Sequence, residues 1–136
     1  MNKNKHVVDF NTFNVNENFN ENDTITLYHG TCLPNAHNLI KNGWKSINKS
    51  YGGNMGNQNY LYLSSEPEDA LWFAEEKGCD TIIIVKNIPV SFLRPDPEDE
   101  AGFSMGDLLD RINNTKSPSK FILTKELNSN HFEILK

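Results

Sequence analysis

Arginine and cysteine are scarce in this chain, and long apolar runs are missing. Only two arginines, Arg94 and Arg111, stand among 136 residues, and 18 acidic side chains outnumber 13 basic ones for a formal charge of −5. Nonspecific nucleic-acid binding needs clustered Lys and Arg to displace counterions, so this balance argues against it. Two cysteines, Cys32 and Cys79, are too few for a disulfide scaffold or a zinc cage. They are expected to be small buried residues in a protein of the reducing cytosol. No apolar run approaches the roughly 18 residues of a membrane span. The first residues, Met1-Asn-Lys-Asn-Lys-His6, carry charge without an apolar stretch, so no signal peptide is expected.

What the chain has in excess is asparagine, 20 residues in all, eight of them between Asn2 and Asn22. Asparagine competes with the backbone for hydrogen bonds and disfavours both helix and strand. Residues 1–23 therefore read as a polar extension, and 24–136 as one folded domain, the number of domains this length suits. Without the extension the domain carries 11 basic and 14 acidic residues and is nearly neutral.

The domain's pattern is α+β, with five or six strands and two or three short helices. Thr24-Ile-Thr-Leu-Tyr28 alternates polar and apolar residues as a strand does. Pro34 to Asn42 has helical spacing, with Gly43 suited to end it. Ser46 to Asn59 is a loop containing Gly52, Gly53 and Gly56, and Tyr60-Leu-Tyr-Leu-Ser64 is a second strand. Ser65 and Glu68 have capping-box spacing ahead of a helix striped by Ala70, Leu71, Phe73 and Ala74 and ended by Gly78. Thr81 to Val85 is apolar enough for a strand buried on both faces, and Val90 to Leu93 extends the sheet. An acidic, solvated loop over Arg94–Glu100, a helix over Met105–Ile112 and strands over Phe121–Thr124 and Phe132–Leu135 complete the reading.

Few residues carry chemistry on their own. His29 ends a strand in Leu27-Tyr-His-Gly-Thr31, where side chains reach the sheet rim, and Gly30 permits close approach to the main chain. A turn histidine satisfied by local hydrogen bonds has the same appearance. His37 and His131 lack ligand spacing with His29, so no metal is expected. Tyr62 on its strand and Phe73 on the following helix can hold two rings apart as a slot for a flat cationic ring, or pack as core. The Gly52–Gly56 loop matches neither phosphate-binding glycine pattern and reads as a lid over a pocket.

In combination these segments say more. Leu27-Tyr-His-Gly-Thr31, the helix closed by Gly43, the Gly-rich loop, Tyr60-Leu-Tyr-Leu-Ser-Ser65 and Asp69-Ala-Leu-Trp-Phe73 follow one another in order. The series resembles the ADP-ribosyltransferase superfamily, in the branch of diphtheria-type toxins and poly(ADP-ribose) polymerases, over residues 24–136. The resemblance implies a split mixed or antiparallel sheet and NAD as substrate. It implies that His29 and Gly30 hold the carboxamide and ribose, with Thr31 and Ser64 beside them. It places Tyr62 and Phe73 on either side of nicotinamide, Phe73 keeping the family's second ring without its hydroxyl, and Trp72 adding aromatic surface.

The family's catalytic carboxylate, a glutamate on a late strand, has two candidate registers here. In one it is Glu133; in the other the position falls near Ser119 or Lys120, and no acid stands there. The implied function is NAD-dependent mono-ADP-ribosylation of a macromolecule, protein rather than nucleic acid, by a toxin, effector or phage-type modifier in the cytoplasm of its own or a host cell. Two alternatives stand beside it: an NAD-binding or inactive form that works by contacting a partner, and an RNA 2′-phosphotransferase, which the shortage of arginine opposes.

Overall fold

The computed structural model describes residues 23–45, 60–114 and 117–135. The extension up to residue 22 and the Gly-rich loop lie outside them. Six strands and three helices follow in the order β1 (Thr24–Thr31), α1 (Leu33–Asn42), β2 (Leu61–Ser64), α2 (Pro67–Glu76), β3 (Thr81–Pro89), β4 (Leu93–Pro95), α3 (Met105–Asn114), β5 (Lys120–Leu123) and β6 (Phe132–Ile134). The strands form one sheet in the order β4-β5-β2-β1-β3-β6, antiparallel at every neighbouring pair. The fold is α+β, with an antiparallel sheet and no parallel pair among the described strands; the sheet is continuous rather than divided into two.

The sheet is nonetheless weakest at its centre. Strand β1 pairs with β3 from Thr24↔Pro89 to Thr31↔Thr81, whereas it meets β2 at the single pair Tyr28↔Ser64. Alternation along β1 sends Leu27, His29 and Thr31 to one face and Tyr28 and Gly30 to the other. The first face carries the main core: Leu27, Leu63, Ile83, Val85, Phe121 and Leu123 pack with Ala36 and Leu39 of α1 and Leu108, Leu109 and Ile112 of α3. Both outermost strands, β4 and β6, are only three residues long.

Helix α2 covers the second face and belongs to a different kind of packing. It fully buries only Ala70 and Ala74, whose two methyl groups contribute roughly 1–2 kcal/mol together. Its backbone lies directly on β1: a Cβ at Gly30 would overlap the Ala70 carbonyl and come within 3.0 Å of the Ala74 nitrogen. The close approach that Gly30 permits is thus taken up by α2. The start of α2 also departs from the capping-box spacing. Its N-cap is Glu66 with no side-chain cap bond; the Glu66 N–H donates to Ser64 Oγ at 3.1 Å. Ser65 Oγ instead accepts the Ser119 N–H at 2.9 Å, a partner 54 residues away.

Two further expectations are corrected. Val90–Phe92 forms a 3-10 turn, so sheet pairing resumes only at Leu93. Cys32 and Cys79 are not separate buried thiols: they are half-buried and joined in a disulfide, with Cα atoms 5.1 Å apart across 47 residues of sequence. The register explains it, because the two cysteines flank the Thr31↔Thr81 pair that ends the β1–β3 ladder. Closing a loop of that length restricts the unfolded chain by about 4 kcal/mol in the chain-entropy account.

Gly30→Ala is expected to destabilise the fold by about 1–3 kcal/mol, because backbone cannot yield as a side-chain tip can. Urea unfolding followed by circular dichroism measures this; a change under 0.5 kcal/mol would show that α2 is free to lift from β1.

Candidate functional site

The β1–β2 seam joins His29, on the core face of the sheet, to the main chain of Tyr62, whose side chain lies on the α2 face. Where backbone pairing stops, the His29 ring takes over: its Nδ1–H donates to the Tyr62 carbonyl at 2.8 Å. A carbonyl can only accept, so this bond selects the tautomer with the proton on Nδ1 and leaves Nε2 an acceptor. Burial lowers the His29 pKa to about 4; the Lys77 charge pushes the same way, and the Tyr62 carbonyl opposes them. The imidazole is therefore neutral at pH 7.

Tyr62 points to the α2 face and is 38% exposed. Its hydroxyl pKa is raised by burial, then by Asp96, Glu98 and Tyr60. On α2, Trp72 stands 53% exposed and meets half-buried Phe73 edge-on, with ring centroids 5.2 Å apart. Ser64 and Thr31 are fully buried, and the Ser64 hydroxyl is engaged at the start of α2.

Lys120 is held through both polar groups of its backbone. Its N–H donates to Glu100 Oε2 at 2.9 Å, and its carbonyl accepts the Asp96 N–H at 3.0 Å. The neighbouring Ser119 is tied to Ser65 by two bonds, one through the backbone and one through the Ser65 hydroxyl. With the main chain so fixed, the Lys120 ammonium lies 3.8 Å from Asp69 Oδ2, 3.7 Å from Asp99 Oδ2 and 6.0 Å from the centre of the Phe73 ring. Asp69 Oδ2 is buried and has no hydrogen-bond partner among the described residues.

The acidic loop that builds this corner is solvated only in part: Pro97, Glu98 and Asp99 are exposed, but Asp96 and Glu100 are buried. Asp96 and Glu100 are each 5% exposed. Asp96 Oδ1 accepts the Glu98 N–H at 2.8 Å, and Glu100 faces the Arg111 guanidinium at 3.2 and 3.4 Å. In the sequence both carboxylates read as part of a solvated loop, and the structure corrects that for these two. The Asp-Pro spacing at Asp96 carried a turn signal, but nothing local pointed to Arg111 as a partner.

Glu133 stands apart from this assembly. Cross-strand pairing puts it level with Ile84 and Tyr28, on the face opposite His29, and its carboxylate accepts from Lys86 Nζ at 2.8 Å. The structure thus brings His29 to the Tyr62 main chain and Lys120 to Phe73, and leaves Glu133 elsewhere. Among the described residues no group of three or more His, Cys, Asp or Glu is placed to hold a metal, and no helix is long and apolar enough to cross a membrane. No protein-family model, characterised protein or solved structure matches the chain significantly.

Two outcomes follow from this geometry. Because the folded pKa of His29 lies below its ordinary 6.5, the folded state binds fewer protons. Its contribution is present above pH 6.5 and is lost as the pH falls towards about 4. Thermal melts of wild type and His29→Gln across pH 4–7 are expected to converge at the acid end; parallel curves would refute the assignment. Glu100→Ala leaves Arg111 and the Lys120 N–H without their buried acceptor and is expected to cost about 3 kcal/mol in urea unfolding. A loss below 1 kcal/mol would mean that water substitutes for the carboxylate.

Proposed function

We propose that the chain binds NAD at the β1–β2 seam and acts as a mono-ADP-ribosyltransferase towards a macromolecular acceptor, a protein in preference to a nucleic acid. The observation that carries this reading is the His29–Tyr62 bond. It unites the two motifs behind the family resemblance and presents a neutral imidazole whose Nε2 accepts a ribose hydroxyl or carboxamide proton. Exposed Tyr62 and the Trp72–Phe73 pair supply aromatic faces of the kind that attract a cationic nicotinamide ring. Breaking the bond between nicotinamide and ribose passes through an oxocarbenium-like state, which a nearby carboxylate stabilises.

A second reading draws on Lys120, the residue at one of the two positions considered for the family's glutamate. An ammonium 6.0 Å from the Phe73 ring opposes positive charge developing nearby, and Glu133 is committed to Lys86 at the β6 margin of the sheet. On this reading the domain keeps an NAD pocket without turnover and works by contacting a partner protein. An RNA 2′-phosphotransferase is less favoured than either, since Arg111, one of only two arginines, is engaged with Glu100.

Calorimetric titration of the full chain with NAD separates these cases when paired with transfer of label from NAD to proteins of a host lysate. Binding is expected in the micromolar range, weakened at least tenfold by Tyr62→Ala and by His29→Ala in samples whose circular dichroism is native. Binding with labelling supports the transferase; binding without labelling or NAD hydrolysis selects the second reading. If NAD does not bind, both are overturned.

A further inference from the structure

The disulfide lies at the far end of the helix that carries Phe73 and Asp69, and neither reading of the seam uses it. We propose that Cys32–Cys79 is a redox-operated clamp on α2, closed in the oxidised protein and released by a dithiol reductant. Beyond the backbone contact of Ala70 and Ala74 with β1, little else holds that end of the helix. Helix α2 contributes no side chain to the main core and fully buries two alanines. Its amino end is tied to the sheet through Ser64 Oγ and through the Asp69–Lys120 ion pair. At its carboxyl end the backbone bonds run from Lys77 and Cys79 to the Ala74 carbonyl and from Gly78 to the Glu75 carbonyl. Those bonds shape the turn but join it to nothing beyond α2. The bridge to Cys32 supplies the tie to the end of β1 and the start of α1.

Position and access suit a clamp that opens without unfolding the protein. Both cysteines are half-buried, so a small thiol can reach them. The main core, which draws on β1, β3, α1 and α3, includes neither cysteine and no residue of α2. In the reaction one thiolate of the dithiol attacks a bridge sulfur and forms a mixed disulfide, expelling the other cysteine as thiolate. The second thiol of the reductant then displaces the remaining cysteine. The reductant leaves as a disulfide, its two protons and two electrons having passed to Cys32 and Cys79. Release frees the carboxyl end of α2 and loosens the Phe73 side of the seam while the ladder of β1 with β3 remains.

Hydrogen exchange read by mass spectrometry tests this on the full chain without reference to NAD. Amides of 67–79 are compared with those of 81–89 in air-oxidised protein, in protein reduced with dithiothreitol, and in the double variant C32S/C79S. The expected result is at least tenfold faster exchange in α2 on reduction, with β3 changing less than twofold and the double variant behaving as reduced in either buffer. Unchanged exchange in α2 would overturn the proposal. Equal acceleration of α2 and β3 would do so too, since the bridge would then staple the whole fold. Two titratable thiols persisting after oxidation would show that the clamp never closes.

Discussion

The way β1 divides its backbone hydrogen bonds governs the rest of the molecule. Buried N–H and C=O groups must be paired, and β1 spends nearly all its pairing on β3, leaving one register pair for β2. A sheet bound so unevenly has a seam at its centre. Near that seam the Tyr62 carbonyl takes its hydrogen from a side chain, the His29 ring. The tautomer of His29 and the meeting of two motifs distant in sequence both descend from that one substitution of imidazole for backbone, while its low basicity comes from burial.

Two different packing regimes flank the seam. On the core side, branched and aromatic side chains interlock between the sheet and α1 and α3. On the other side α2 lies on β1 backbone to backbone, with glycine and alanine at the contact. The first regime stabilises the domain, and the second sets a short, defined distance between helix and sheet. Aromatic and charged groups on α2 are thereby held at the seam by geometry more than by burial. At the corner beside it, the polar network around Ser119 and Lys120 does for β5 what apolar packing does elsewhere.

The strands and helices were largely legible because their signals are local. Helix α1 ends at Gly43 with a positive φ, as glycine at that position announces, and Thr81 to Val85 lies in the strand its apolar run implies. The features that escaped notice depend on partners far along the chain. Ser65 has the right spacing to cap α2, yet its hydroxyl is taken by Ser119. Glu100 looks like one more charge in an acidic loop until Arg111 and the Lys120 N–H converge on it. The cysteine spacing means nothing until the β1–β3 register sets both residues beside the same ladder pair. For the candidate site, the residues of the His-Gly and Tyr-Leu-Ser segments do line one seam, but the side assigned to each emerged only from strand register. That is why Glu133, plausible in a linear reading, lies on the face away from His29.

Glu133 has another consequence in that place. It sits on β6, the three-residue strand at one margin of the sheet, while Arg94 and Pro95 occupy β4 at the other. An open margin is a template on which a second chain can add itself strand by strand. Brevity, proline and charge each interrupt that template, and the Glu133–Lys86 pair keeps a charged group fixed beside the exposed edge. The glutamate that invites a catalytic interpretation is thus well placed as a guard against self-association, protecting an apolar sheet from growing beyond its own six strands.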